Sequence, residues 1–97
     1  MKAALRLHPT DTVATLLESV QGGESVTLID MENHPLGVQT AQEAIDQGHK
    51  IALCAMQAGD DVIKYGYSIG VASAAISPGD RVHTHNLDSR RGRGDLV

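Results

Sequence analysis

The sequence has 97 residues and a formal net charge of −4, with one cysteine, two tyrosines and neither Phe nor Trp. This length favours a single domain, and one cysteine excludes an internal disulfide. An acidic chain with two aromatic residues lacks the basic field and stacking surfaces of nucleic-acid-binding proteins, so that class is excluded.

The start of the chain does not resemble a signal peptide, because His8 and Pro9 interrupt it too early for an apolar core. The longest apolar run, residues 51–56, falls far short of the ~20 residues of a membrane span. These features predict a cytoplasmic protein. A core of Val, Ile, Leu, Ala and Met buries little area per residue, which favours docking on a partner.

Short β-prone segments separated by glycine turns run along the chain. A Gly-acid-x-Val pattern begins at Gly23, Gly59 and Gly79, and each copy precedes a β-prone segment. Glycine suits such turns because it tolerates positive φ. The pattern predicts strands over residues 2–7, 13–17, 26–29, 50–55, 62–65, 69–73 and 81–85.

One helix is predicted over residues 40–47. Thr40 and Glu43 form a capping-box signature, and Gly48 is a natural stop. Residues 31–37 read as a loop or hairpin tip, and the Arg/Gly-rich residues 88–97 as a flexible tail. The fold class that follows is mostly β with one or two short helices, in a compact barrel-like or clip-like domain over residues 1–87.

Two groups of side chains could bind an anion. His49 and Lys50 follow the predicted helix, where they either form a carboxylate site or offset the helix dipole. Lys64 precedes Gly66 on a predicted strand, and this pair marks either an open groove or a bulge. In isolation, each structural reading is the more probable one.

The third group is the His83-Thr84-His85-Asn86 stretch. Alternation along a strand would put His83 and His85 on one face, where two imidazoles can share a metal ion or an anion. A catalytic metal usually has a third protein ligand, and none lies in local register. A solvated pair of histidines on a strand edge is the commoner outcome.

Taken in order, these motifs resemble the SAF domain of the altronate/galactarate dehydratase family, which includes the small subunit of sulfolactate sulfo-lyase. The resemblance rests on segments 11–14, 47–53, 63–66, 69–70 and 79–87, and it covers about residues 5–87. It implies a β-clip (SAF-like) fold. It also implies the small subunit or N-terminal domain of a hydro-lyase, inactive without a larger catalytic subunit.

The resemblance further implies a small hydroxy or sugar acid as substrate and a divalent metal, Fe²⁺ or Mn²⁺, held mainly by the partner subunit. On this hypothesis His49, Lys50 and Lys64 bind the substrate carboxylate. His83 and His85 line the same site and assist catalysis by proton transfer, or contribute to the metal site.

Two other functions fit the residues. The chain could be a non-catalytic SAF-type ligand-binding module, or a stand-alone metal-binding domain using His83 and His85. The sequence does not distinguish a dehydratase from a sulfo-lyase. It also leaves open whether the chain forms a homo-oligomer.

Overall fold

The computed structural model describes residues 2–89, which form nine β-strands in two sheets and contain no helix. The strands are β1 (Lys2–Leu5), β2 (Val13–Leu16), β3 (Ser25–Ile29), β4 (Pro35–Thr40), β5 (Lys50–Ala52), β6 (Asp61–Lys64), β7 (Tyr67–Ala72), β8 (Arg81–Val82) and β9 (Leu87–Asp88). The larger sheet has the order β4-β3-β1-β2-β5-β8, and the smaller has the order β6-β7-β9. Every neighbouring pair is antiparallel except β1 and β3, which are parallel.

The β2–β5 pair lies between two hydrophobic cores. Ala14 and Ile51 are paired across these strands and belong to the first core. Val13 and Ala52, paired one position along, belong to the second core, where the smaller sheet contributes Val62. Successive side chains point to opposite faces of a strand, so this part of the larger sheet is buried on both sides.

Four turns of the same design lead into strands β3, β5, β6 and β8. Each has a glycine with φ between 87° and 95°, namely Gly23, Gly48, Gly59 and Gly79. A buried apolar residue lies three positions before each of these glycines. These four apolar residues form two isolated β-bridges, Val20 with Ile45 and Met56 with Ile76. The sequence pattern predicts the turns at Gly23, Gly59 and Gly79. It does not predict the turn at Gly48, because Gly48 follows a capping-box signature and is typical of a helix end.

The residue after the glycine distinguishes the fourth turn from the others. In three turns an acidic side chain accepts a hydrogen bond from the N–H three residues earlier: Gln21 to Glu24 (2.6 Å), Gln57 to Asp60 (2.8 Å) and Ser77 to Asp80 (2.8 Å). His49 occupies that position in the fourth turn. An imidazole there is not needed to close the turn, since the His49 N–H still bonds to the Asp46 carbonyl (3.1 Å).

The prediction of a mostly β domain is confirmed, and the helix predicted over residues 40–47 is wrong. The Ala41 N–H donates to Glu24 and the Gln42 N–H to Gly79, so the backbone of this segment bonds across the fold and not to its own fourth neighbour. The Glu43 carboxylate accepts from the Arg81 N–H and closes no capping box. An isolated helix of eight residues is marginal, and tertiary bonding replaces it here.

Other boundaries also differ from the prediction. Residues 35–40 form β4, so the predicted 31–37 loop is the tip of a β3–β4 hairpin together with its returning strand. Tyr65 and Gly66 both have positive φ and form a two-residue hairpin turn after Lys64, as type I′ geometry requires. Of the predicted 88–97 tail, Asp88 pairs with Val71, and residues 90–97 lie outside the described part.

Within that described part, no helix is long and apolar enough to cross a membrane.

Candidate functional site

The two motifs that hold His49 and His83 lie side by side. Strands β5 and β8 pair Lys50 with Val82 and Ile51 with Arg81. The same antiparallel register brings His49 opposite His83, one position beyond the strand ends. Their rings lie 5.0 Å apart between centroids, tilted by 50°. Residues separated by more than thirty positions in sequence therefore share one site.

Lys64, at the end of β6, belongs to the same neighbourhood. Burial, and then the charge of Lys64, hold the pKa of Lys50 below its ordinary value. Two ammonium groups close enough to repel destabilise the charged form of either one. Such an arrangement is typical of a site that receives a negatively charged group.

His83 lies at the centre of this positive charge. Burial is the largest cause holding the pKa of His83 below its ordinary value, followed by the charges of His49, Arg81, Lys50 and His85. Within residues 2–89 the ion pairs join His34 to Asp30 and Glu32. None of the cationic side chains named here has a carboxylate oxygen within 4.0 Å. Unneutralised positive charge in a chain of net charge −4 favours binding of an anion.

We call the group formed by His49, Lys50, Lys64, Arg81 and His83 the cationic site. Three polar atoms at or beside it are buried without a hydrogen-bond partner: His49 Nδ1, Arg81 Nε and Thr15 Oγ1. Thr15 is the direct cross-strand neighbour of Lys50 on β2. Buried polar atoms are normally bonded, and these three are atoms whose hydrogen-bonding capacity the described residues leave unused.

Asn86 fixes the position of His83. The strand predicted to run to residue 85 ends at Val82, and residues 83–86 form a turn. The buried Asn86 amide donates to the Arg81 carbonyl (2.8 Å) and accepts from the His83 N–H (2.9 Å). His85 is therefore not on a strand face with His83. It lies exposed in the turn.

Asp11 and Thr12 fix the hairpin that carries Lys64. Thr12 Oγ1 accepts from the Ile63 N–H (2.9 Å), and the Thr12 N–H donates to the Ile63 carbonyl (3.0 Å). Buried Asp11 accepts from the Gly66 N–H at 2.8 Å. These bonds attach the end of β6 to the segment that enters β2.

Of the predicted site residues, the structure brings the His49 and His83 rings together; the charges of Lys50 and His85 also act on His83, and the charge of Lys64 acts on Lys50. Sequence reasoning missed Arg81. The signal that could have found it is the four-turn comparison, because Lys50 and Arg81 occupy the same position, two residues after the turn glycine.

The donor set around His83 and His85 does not by itself suit a metal ion. Among residues 2–89, the group that brings three candidate ligand atoms within 4.8 Å of one another is Asp30, Glu32 and His34. That group lies at the β3–β4 tip, at the opposite edge of the larger sheet from β8. A metal at His83 would need ligands from elsewhere.

Sequence comparisons agree with this picture. The chain matches the profile of the altronate/galactarate dehydratase SAF domain over residues 2–90. It is 38% identical to altronate dehydratase of Bacillus subtilis over 87 residues, which is 89% of this chain and 16% of that enzyme. It thus spans about a sixth of the length of that relative.

Two other relatives are separate subunits of comparable size. Over 87 residues the chain is 32% identical to (2R)-sulfolactate sulfo-lyase subunit alpha of Chromohalobacter salexigens, covering 88% of this chain and 93% of that subunit. Over 52 residues it is 48% identical to the subunit of the same name from Paracoccus pantotrophus, covering 54% and 78%.

Proposed function

Because the chain belongs to the altronate/galactarate dehydratase SAF-domain family, we propose that it is the small subunit or N-terminal domain of a hydro-lyase and that its cationic site binds the carboxylate of a small hydroxy acid. The observation that carries the proposal is the grouping of His49, Lys50, Lys64, Arg81 and His83, none of whose side chains forms an ion pair with a carboxylate within the described residues. The proposal is supported by the relatives, which are named as a dehydratase and a sulfo-lyase subunit.

The chemistry of such an elimination explains why a cationic site is useful. A base removes a proton from the carbon next to the carboxylate, and the leaving group departs from the neighbouring carbon as hydroxide or sulfite. Negative charge then accumulates on the carboxylate oxygens, where Lys50 and Lys64 can stabilise it. An imidazole can both donate and accept a proton, so His49 or His83 can exchange one with the substrate beside the reacting carbons.

The remaining machinery is assigned to a larger chain. The family resemblance implies Fe²⁺ or Mn²⁺, which as a Lewis acid would assist loss of the leaving group. Since His83 and His85 gather no third ligand within residues 2–89, we assign the metal mainly to that partner. The small chain then supplies carboxylate binding and has no turnover alone.

We expect the isolated chain to bind altronate or sulfolactate weakly. Lys50→Gln and Lys64→Gln should each weaken that binding at least about 10-fold, the value of a charged hydrogen bond. The measurement is an NMR titration following the backbone amides of residues 49–51 and 81–83. Lys2→Gln is the matched control, because Lys2 Nζ bonds to the Ser19 carbonyl outside the site. Equal affinities for all three variants would rule out the site.

Activity gives the second readout. Reconstitution with the larger lyase polypeptide from the same genome should produce dehydratase or sulfo-lyase turnover, and His49→Ala or Lys64→Ala should lower it at least about 10-fold. Both variants should keep the wild-type melting temperature to within a few degrees. Full turnover in both would refute the assignment of these residues.

Binding should also depend on pH in a defined direction. Burial and the neighbouring positive charges hold the pKa of His83 below its ordinary value of 6.5, so in the free site His83 gains its proton only in the pH window below that value. An anion favours protonated His83, and its affinity should rise several-fold, about 3- to 10-fold, as pH falls through this window. Without the anion, the lowered pKa makes the chain less stable over the same fall in pH. His83→Gln should flatten the affinity profile, and an unchanged profile would exclude His83.

A non-catalytic anion-binding module is the second candidate, and it is favoured by the same open cationic site. It predicts carboxylate binding with no gain of turnover on adding the larger polypeptide. A stand-alone metal domain predicts stoichiometric Fe²⁺ or Mn²⁺ on the isolated chain, which metal analysis would reveal.

A further inference from the structure

The smaller sheet covers only part of one face of the larger sheet. It packs on β2, β5 and β8 through the second core, which includes Val13, Ala52 and Val82. On the same face, β1 and β3 present Leu5 and Ile29, which are half-buried and belong to neither core. The outermost strand β4 adds two exposed apolar side chains.

Those two side chains are Val38 and Leu36, which are 65% and 42% exposed. Val38 is paired with Thr27 on β3, which puts it on the face that carries Leu5 and Ile29. Leu36 lies at the irregularity in this pairing. We call Leu5, Ile29, Leu36 and Val38 the open apolar face.

The open apolar face is in register with Lys50, one residue of the cationic site. Ile29 is paired with Leu5, Leu5 with Thr15, and Thr15 with Lys50, so one row of side chains crosses four strands. Thr15 Oγ1, at the junction, is buried without a hydrogen-bond partner. The apolar end of this row and Lys50 therefore lie on the same face of the larger sheet.

A cavity of about 350 Å³ lies beside the β4 end of the face. Leu7, Pro9 and Leu36 line it together with Arg6, His8 and Asp30. Pockets that are part apolar and part polar commonly receive an anchoring side chain at an interface. β4 is also an edge strand, and native proteins usually cover such edges or blunt them with charge. β4 carries no charged residue.

We propose that the open apolar face is the docking surface for the larger lyase chain, which on binding closes the cationic site over Lys50. This inference rests on the proposed function. In B. subtilis altronate dehydratase the region similar to this chain is 16% of the polypeptide, so the rest of that lyase is available to cover the domain. The continuous row from Leu5 to Lys50 explains why the partner is the chain that completes the site.

A second copy of this chain is the competing occupant. Pairing of two β4 edges would bury Val38, but it would extend the sheet away from Lys50 and leave the cationic site as it is. The unsatisfied Thr15 and His49 atoms would keep no partner. The larger chain accounts for both the apolar and the polar end of the row.

The test uses two variants of the full 97-residue chain, Val38→Glu and Met31→Glu. Met31 is the matched control, because it is 74% exposed and lies at the β3–β4 hairpin tip, outside the open apolar face. Affinity for the separately purified larger polypeptide of the same genome is measured by biolayer interferometry. We expect Val38→Glu to weaken binding at least about 10-fold and Met31→Glu to change it less than about 2-fold.

The altronate titration separates this inference from the proposed function. Val38→Glu should bind altronate as the wild type does, because Val38 lies outside the cationic site. If the wild type binds the larger polypeptide and Val38→Glu binds it equally well, the docking face is overturned while the proposed function stands. If the wild type binds no larger polypeptide, the docking face is overturned, and the altronate titration decides the proposed function separately. A wild-type dimer in solution that Val38→Glu converts to a monomer would assign the face to a second copy.

Discussion

Gly79→Ala should be the most damaging small substitution in the chain, lowering the free energy of unfolding by about 3–5 kcal/mol. A Cβ atom at this position would lie 2.2 Å from the Thr40 carbonyl oxygen and 2.9 Å from Gln42 Cγ. The carbonyl belongs to the backbone at the end of β4 and cannot move without breaking the turn contact. Gly79 also has φ +91°, which side chains rarely adopt. Thermal and urea unfolding would measure the loss.

Gly59→Ala is the matched control for this prediction. Gly59 occupies the same position in an equivalent turn, has φ +95°, and has no atom within 4 Å of an added Cβ. Its substitution should cost only the conformational penalty of about 1–2 kcal/mol. Equal losses at Gly59 and Gly79 would mean that φ alone decides the effect and that the contact with Thr40 contributes nothing.

Asp11→Asn should be the second most damaging change, costing about 2–4 kcal/mol. The buried Asp11 carboxylate accepts three backbone hydrogen bonds, from Leu7 (3.2 Å), His8 (3.1 Å) and Gly66 (2.8 Å). Replacing one oxygen by an NH₂ group turns an acceptor into a donor that faces another donor. At least one N–H is then left unsatisfied.

The effect of Asp11→Asn can also be measured as a change in binding, because Asp11 holds the hairpin that carries Lys64. Because Asp11 attaches the β6–β7 turn to the segment entering β2, Asp11→Asn should also weaken altronate binding by the folded protein. Asp60→Asn is the control, since the exposed Asp60 carboxylate accepts a single side-chain hydrogen bond, from the Gln57 N–H, and its loss should cost about 1 kcal/mol or less. Comparable losses in the two variants would contradict the assignment of Asp11 as the residue that fixes this hairpin.

Gly79 and Asp11 explain how a small core without Phe or Trp positions a site whose residues come from three separate segments of the chain. Gly79 allows the turn before β8 to touch the end of β4, and Asp11 holds the end of β6. Neither belongs to the cationic site. Each keeps one cationic element, Arg81 or Lys64, in its place beside β5.

Local sequence signals located most strands and three of the four turns. Glycine followed by an acid and then a β-branched residue encodes a turn and a strand within a few positions, without long-range help. The same local reasoning failed over residues 40–47. Thr40, Glu43 and Gly48 satisfy the rules for a helix, but the Ala41 and Gln42 N–H groups bond to Glu24 and Gly79.

Local sequence signals identify some of the site residues and miss or misplace others. His49, Lys50, Lys64 and His83 are recognisable from their motifs and the family resemblance. Arg81 was overlooked because its cationic neighbours are distant in sequence. His85 was placed with His83 because a strand was expected to continue, and the Asn86 side chain ends it instead.

The β-rich class, three of the four turns, the family and the residue types available for binding an anion are readable along the chain, because they follow from local backbone preferences and recurring motifs. The position of β5 between β2 and β8, which brings the His49 and His83 rings 5.0 Å apart, appears only in the folded protein. Strand order and register arise from the packing of two cores against each other, a property of the whole chain and of no single segment.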